Sequence, residues 1–188
     1  MRRPSCCRYS LERLNTDDSL VAEILITELN DLDWLSETQV DFDIDLASQS
    51  VYLDVDLPEV EDIPARSAEF GARNRRLLIK DKSDRQRREE YARHIHGIIL
   101  RLAGVVLGLL PGIERVVVSG YSQRLDSATG HINDDYLLSV AIDKALFAEL
   151  NFEQLEQVDP MAALERFSLR REMTKTGIFR PVTPIEPV

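Results

Sequence analysis

Cysteine is nearly missing from this 188-residue chain: there are two, and they are neighbours, Cys6 and Cys7. Adjacent Cα atoms stand closer than a normal disulfide prefers, and the C-x-x-C spacing of zinc and redox sites is absent. That usage points to a reducing compartment, so a cytoplasmic location is expected. No glycine cluster precedes a helix, which excludes the loops that cradle phosphates in nucleotide enzymes. Ser119-Gly120-Tyr121 lacks the G-x-S-x-G pattern of a nucleophile elbow. Long apolar runs are missing too. The most apolar stretch, residues 95–110, is interrupted by Arg101 and is too short to span a bilayer. Residues 1–7 carry two arginines with no apolar stretch behind them, unlike a signal peptide. Basic residues are missing from one third of the chain, since no lysine or arginine occurs between Arg13 and Arg66.

What is present describes a folded acidic domain. The hydrophobic fraction is 44% and the formal net charge is -10. That much apolar surface sustains a core, and that much negative charge makes a poor partner for nucleic acid or anionic membrane. A protein partner suits it better.

Residues 1–15 read as a flexible leader or linker remnant, and 16–188 as one domain. Leu20, Val21, Ile24, Leu25, Leu29 and Leu32 recur at helical spacing, and Thr16, Asp17 or Asp18 can cap that helix. Residues 40–46 and 51–57 alternate strictly between apolar side chains and aspartates or Tyr52, as half-buried strands do. Ala47-Ser48-Gln49-Ser50 between them predicts a hairpin. A turn centred on Ser48-Gln49 pairs Phe42 with Val55, Asp43 with Asp54, and Asp41 with Asp56. Pro58 and Pro64 make 58–72 a loop. Leu77-Leu78-Ile79 predicts a third strand. Ser83, with Gln86 at the capping-box position, opens a long helix that stops at Pro111-Gly112. Val116-Val117-Val118 and residues 136–142 predict an antiparallel strand pair around a turn at 126–130. Asp143 can cap a short helix, and Asp159-Pro160 opens another. The tail from 174 is proline-rich and irregular. The expected fold is α+β: a mixed or antiparallel sheet of about five strands on one long central helix, in the order α-β-β-β-α-β-β-α-α.

Four aspartates, Asp41, Asp43, Asp54 and Asp56, thus share one hairpin face. Opposed like charges destabilise a sheet by up to about 1 kcal/mol per pair. Water and salt can relieve this, as can a divalent ion such as Mg²⁺, or the basic segment from Arg73 to Arg93 folded over the face. The element order also resembles the restriction-endonuclease-like core, whose metal activates water beside an acid-x-lysine pair. That resemblance implies roles for Asp54 or Asp56 and for Lys80 or Lys82. The spacing departs from it, because Leu78 and Lys80 stand where the paired acids belong. Ser119, Tyr121, Gln123 and Arg124, near a strand end, are candidate pocket residues. His94 and His96 lie two apart on the long helix and share no face; Glu90 and His94 have ligand spacing, and His131 falls in a loop.

Several stretches resemble an uncharacterised bacterial family: VYLDVDLPEVEDIP (51–64), YARHIHGI (91–98), VVVSGYSQR (116–124), TGHINDDYLLSV (129–140) and MTKTGIFRPVTPIEPV (173–188). The resemblance implies the C-terminal part of longer proteins that begin with a small domain of unknown function. It implies no activity and no catalytic residues. The expectation is a non-catalytic interaction or accessory domain; the alternatives are a metal-dependent hydrolase or degraded nuclease, and a small-molecule sensor.

Overall fold

The structure, a computed structural model, describes residues 11–32, 38–70, 77–125 and 128–187. Cys6, Cys7, Arg73 and part of the turn expected at 126–130 lie outside the described residues. The chain folds as α+β around a mixed six-stranded sheet, with a separate two-stranded ribbon. In chain order these are α1 (Leu11–Leu14), α2 (Asp18–Asn30), β1 (Val40–Asp45), β2 (Ser50–Asp56), β3 (Arg66–Phe70), β4 (Leu77–Asp81), α3 (Asp84–Leu109), β5 (Arg115–Leu125), β6 (Ile132–Asp143), α4 (Lys144–Phe147), α5 (Pro160–Leu164), β7 (Ser168–Met173) and β8 (Phe179–Arg180). The large sheet has the order β1-β2-β5-β6-β7-β8, with β2 and β5 parallel and every other pair antiparallel.

Helix α3 begins where its cap directs. Ser83 Oγ accepts from the Gln86 N–H at 3.3 Å, and Gln86 Oε1 accepts from the Ser83 N–H at 2.9 Å. Its second half supplies Ile95, Ile99, Leu102, Ala103 and Val106 to the core, all fully buried. They meet Val51, Leu53 and Val55 of β2 and Val116 and Val118 of β5 in one cluster. Gly120 makes room on this face for Leu57, since a Cβ there would stand 2.5 Å from Leu57 Cδ1, and 3.4 Å from Ile99 Cδ1 of α3. By length and composition α3 could cross a membrane, but more than half of its most apolar window is buried inside the fold. Helix α2 adds Val21, Leu25 and Leu29 to the same core. Within the stretch expected to be a leader, Leu11–Leu14 forms a helical turn whose Leu14 packs beside Leu20 and Ile24.

Four expectations need correction. The β1–β2 register is two residues away from the symmetric one. Asp41 faces Asp54, Phe42 faces Leu53, and Asp43 faces Tyr52. The cause is Asp45, whose Oδ1 accepts from the N–H groups of Ala47 (3.0 Å) and Ser48 (3.1 Å) and so starts the turn early. A two-residue shift keeps every side chain on its face, so Val55 stays buried and Asp41 and Asp54 stay exposed. Second, residues 66–70 are a strand, not loop, because the breaker Pro64 precedes them. Third, Leu77-Leu78-Ile79 pairs with those residues and lies outside the large sheet. Fourth, the sheet has more strands than expected, because β7 and β8 continue it beyond β6.

The turn before β8 fixes how the C-terminal segment meets α3. Gly177 has φ +79°, and a Cβ there would approach Arg88 Cβ to 3.0 Å. Gly177→Ala is expected to cost about 1–2 kcal/mol, the left-handed penalty of an L residue. Thermal melting of the variant against the parent checks this; an unchanged midpoint would show that the turn does not need its glycine.

Candidate functional site

Strand β5 divides the surface chemistry in two. Val116, Val118, Gly120, Ser122 and Arg124 look toward α3; Val117, Ser119, Tyr121 and Gln123 look away from it. The candidate pocket residues are therefore not brought together. Ser119 is buried, and its hydroxyl lies 2.8 Å from Ser139 Oγ. Tyr121 packs edge-on against Tyr136 with ring centroids 5.8 Å apart. Gln123 is exposed, and Arg124 sits on the opposite, helix-facing side.

On the face away from α3, Asp41, Asp43, Tyr52, Asp54, Ser119 and Tyr136 line a cavity of about 380 Å³ under Pro184–Pro187 of the tail. The tail is tied down there. Ile185 N–H donates to Ser139 Oγ at 2.9 Å, and Arg170 Nη1 donates to the Pro184 carbonyl at 2.9 Å. Partial desolvation in this cavity raises the carboxyl of the still exposed Asp54 above the usual carboxylate range, Asp41 raises it further, and a bond with Tyr136 lowers it. Burial, Asp134 and Glu59 raise Asp56. Among the described residues, no lysine or arginine pairs with Asp41, Asp43, Asp54 or Asp56; Arg73, Arg75 and Arg76 of the basic segment lie outside the described residues. Lys80 pairs with Glu69, Arg85 with Glu89, and Arg93 with Asp159. Residues 84–93 of the segment belong to α3, on the other side of the sheet.

The lysines of the nuclease reading are likewise remote from its acids in the topology. Asp54 and Asp56 belong to or end β2 in the large sheet, whereas Lys80 is on the ribbon and Lys82 follows it. Lys82 Nζ lies 2.5 Å from Glu90 Oε2, so the carboxylate with ligand spacing to His94 is held in an ion pair. Among the described residues, no group of three or more His, Cys, Asp or Glu side chains is arranged to hold a metal ion. His131 is exposed.

His96 is fully buried. Its Nδ1 lies 2.6 Å from the Ala92 carbonyl, and its Nε2 lies 2.9 Å from Arg171 Nη1. A carbonyl only accepts and a guanidinium only donates, so Nδ1 carries the proton and Nε2 accepts. Burial pushes the imidazole down to about 4, and the Arg171 charge adds to that. Arg171 in turn holds Glu165 at 2.6 Å. The chain His96–Arg171–Glu165 joins α3 to β7. Nothing local in the sequence signals it, because its first two members are 75 residues apart.

The β3–β4 ribbon presents a different kind of surface. Directly paired residues share a face, so one face carries Arg66 with Asp81, Ala68 with Ile79, and Phe70 with Leu77. Phe70 is 78% exposed, Ile79 63% and Leu77 54%. Arg66 Nε pairs with Asp81 at 3.1 Å at the end of this apolar face, and Lys80 pairs with Glu69 on the other. At the same end of the large sheet, where β2 and β5 run out in parallel, Leu125 and Ile132 pair across the β5–β6 tip and are also exposed.

Comparison with protein-family models, curated proteins and solved structures finds no match to this chain.

Proposed function

We propose that this chain is a non-catalytic interaction domain of a cytoplasmic protein, self-associating through the β3–β4 ribbon. It serves as the accessory, C-terminal part of a longer bacterial chain. The supporting observation is the ribbon's solvent-facing apolar side: Phe70, Leu77 and Ile79 stand exposed side by side. An isolated two-stranded sheet is at best marginally stable in water, and contiguous exposed apolar patches mark contact surfaces. Charge selects the partner. The chain carries -10 overall, so two copies repel through most of their surface. The paired strands of the ribbon balance their charge, Arg66 and Lys80 against Asp81 and Glu69 in two ion pairs, and Arg73, Arg75 and Arg76 between them make residues 66–81 net positive. A second copy can therefore approach this part of the chain without the acidic repulsion of the rest, and apolar side meets apolar side about a two-fold axis.

The expected result is a particle of twice the chain mass by light scattering, reduced to one chain by the double substitution Phe70→Glu with Ile79→Glu. The melting of the α3 core, followed by far-ultraviolet circular dichroism, should retain its cooperativity. A wild-type chain that stays monomeric at high micromolar concentration contradicts the proposal, as does a dimer that the double variant leaves intact.

A further inference from the structure

A second cavity, of about 340 Å³, lies on the α3 side of the sheet. Asp84, Arg87, Arg88 and Tyr91 enter it from one stripe of α3, at i, i+3, i+4 and i+7. Glu59 comes from the turn after β2, Arg124 from the end of β5, and Gly177–Phe179 closes the far side.

Two donors in this cavity have no partner among the described residues. Tyr91 is only 3% exposed, and its phenolic oxygen makes no hydrogen bond. Arg87 Nε is also buried and unbonded, although Arg87 Nη2 donates to the carbonyls of Val60 (3.1 Å) and Ile63 (3.3 Å). Leaving a buried donor unsatisfied is costly, and native structures do it rarely. Burial, with Glu59 next, drives the Tyr91 hydroxyl well above its ordinary range, so it stays protonated and able to donate.

The charges in the cavity are also uncommitted. Arg88 Nε donates to the Thr176 carbonyl at 2.8 Å, and Arg124 Nε reaches Ser122 Oγ at 3.4 Å. Neither these two nor Arg87 forms an ion pair with a carboxylate among the described residues, although Glu59, Glu61 and Asp84 line the same space. Glu59 instead accepts from the Ser122 hydroxyl at 2.5 Å. The cavity thus offers a hydroxyl and guanidinium groups in need of acceptors, interspersed with the carboxylates of Glu59, Glu61 and Asp84.

We infer that this cavity binds a small oxyanion-bearing molecule, whose phosphoryl or carboxylate oxygens accept from the Tyr91 hydroxyl, Arg87 and Arg124. The remainder of the ligand presents hydroxyl or amino donors to Glu59 and Asp84. Guanidinium groups suit this recognition because their planar donor fork matches phosphate and carboxylate oxygens. The inference stands independently of self-association, since it uses no ribbon residue.

The probes are pyrophosphate and malonate, titrated into the full chain at constant ionic strength and neutral pH and followed by calorimetry. Saturable binding of one probe is expected, and the stronger of the two identifies the phosphoryl or carboxylate source. Tyr91→Phe removes one oxygen and no charge. It should weaken binding about tenfold or more while the ligand-free chain melts no earlier than the parent, because an unbonded buried hydroxyl is removed. Arg124→Gln, at a partly exposed position, should weaken binding at least as much with little change in melting. Three outcomes overturn the inference: neither probe binds, binding is unchanged in both variants, or ligand-free Tyr91→Phe melts markedly earlier, which would mean that the hydroxyl already has a partner.

Discussion

Replacing Leu102 with Ala is expected to lower the stability of this domain by about 2–5 kcal/mol, the range for buried leucine truncations. Leu102 is fully buried at the middle of α3's apolar half, in the cluster that contains both central strands of the large sheet. Truncation removes the transfer energy of the lost carbons and leaves a cavity that a helix packed along its whole second half cannot close. For a chain of this size each 1 kcal/mol is worth roughly 2–4 °C in the melting midpoint. A shift of roughly 5 °C or more is therefore expected. A loss below about 1 kcal/mol would mean that α3 is not the element on which the sheet depends.

Acid should destabilise the domain through His96, with an effect of similar size. The folded state holds His96 neutral, with its pKa pushed down to about 4, against an ordinary value of 6.5. Above pH 6.5 the ring is neutral in both the folded and unfolded chain, and nothing is lost. As pH falls from 6.5 toward 4, the unfolded chain takes up a proton that the folded chain refuses, so unfolding gains. Below about 4 both forms are protonated and the loss levels off. The difference amounts to about 3 kcal/mol between neutral pH and pH 4, from the energy of one pKa unit. Asp54 and Asp56 act in the opposite direction. Their raised values mean that protonation on acidification relieves the folded state. Denaturant titrations at closely spaced pH values should show the loss in wild type and a flatter profile between pH 6.5 and 4 in His96→Gln. The variant starts from lower stability, since the buried bond to Arg171 changes. Parallel profiles would show that His96 does not control this window.

Much of this fold was legible locally, and the exceptions share a physical cause. Ser83 and Gln86 placed the start of α3 because a capping box is made within four residues. The alternation in β1 and β2 gave the correct faces, because parity is a property of the strand alone. Register was not legible. It depended on Asp45 spending its carboxylate on the turn, a choice between two local arrangements that both keep the aspartates outward. Leu77-Leu78-Ile79 predicts a third strand, and the count of about five strands places it in the main sheet. The run forms a strand, but its hydrophobicity says nothing about what covers it. Strand β7, with the sequence SLRREM, lacks a β-type pattern and owes its conformation to pairing with β6.

The same division applies to the candidate sites. The hairpin aspartates were found as a group, since spacing alone puts them on one face. Arg124 is grouped with Ser119, Tyr121 and Gln123 by position along the strand, but it lies on the opposite face, because neighbouring strand residues point to opposite sides. Arg87 and Tyr91 belong to the basic run from Arg85 to Arg93, whose charge allows phosphate binding or ion pairing and does not by itself choose between them. Their unsatisfied donors exist only once the turn after β2 and the segment before β8 close around α3. Long-range closure, unlike periodicity, leaves no mark on neighbouring residues.

Self-association through the ribbon is tested most directly by mixing isotope-labelled and unlabelled copies and recording only proton contacts between the two. The ribbon proposal predicts contacts between the methyl groups of Ile79 or Leu77 in one copy and the Phe70 ring of the other, seen at concentrations where the particle has twice the chain mass. A monomeric particle at those concentrations, or intermolecular contacts that avoid Phe70, Leu77 and Ile79, would contradict it.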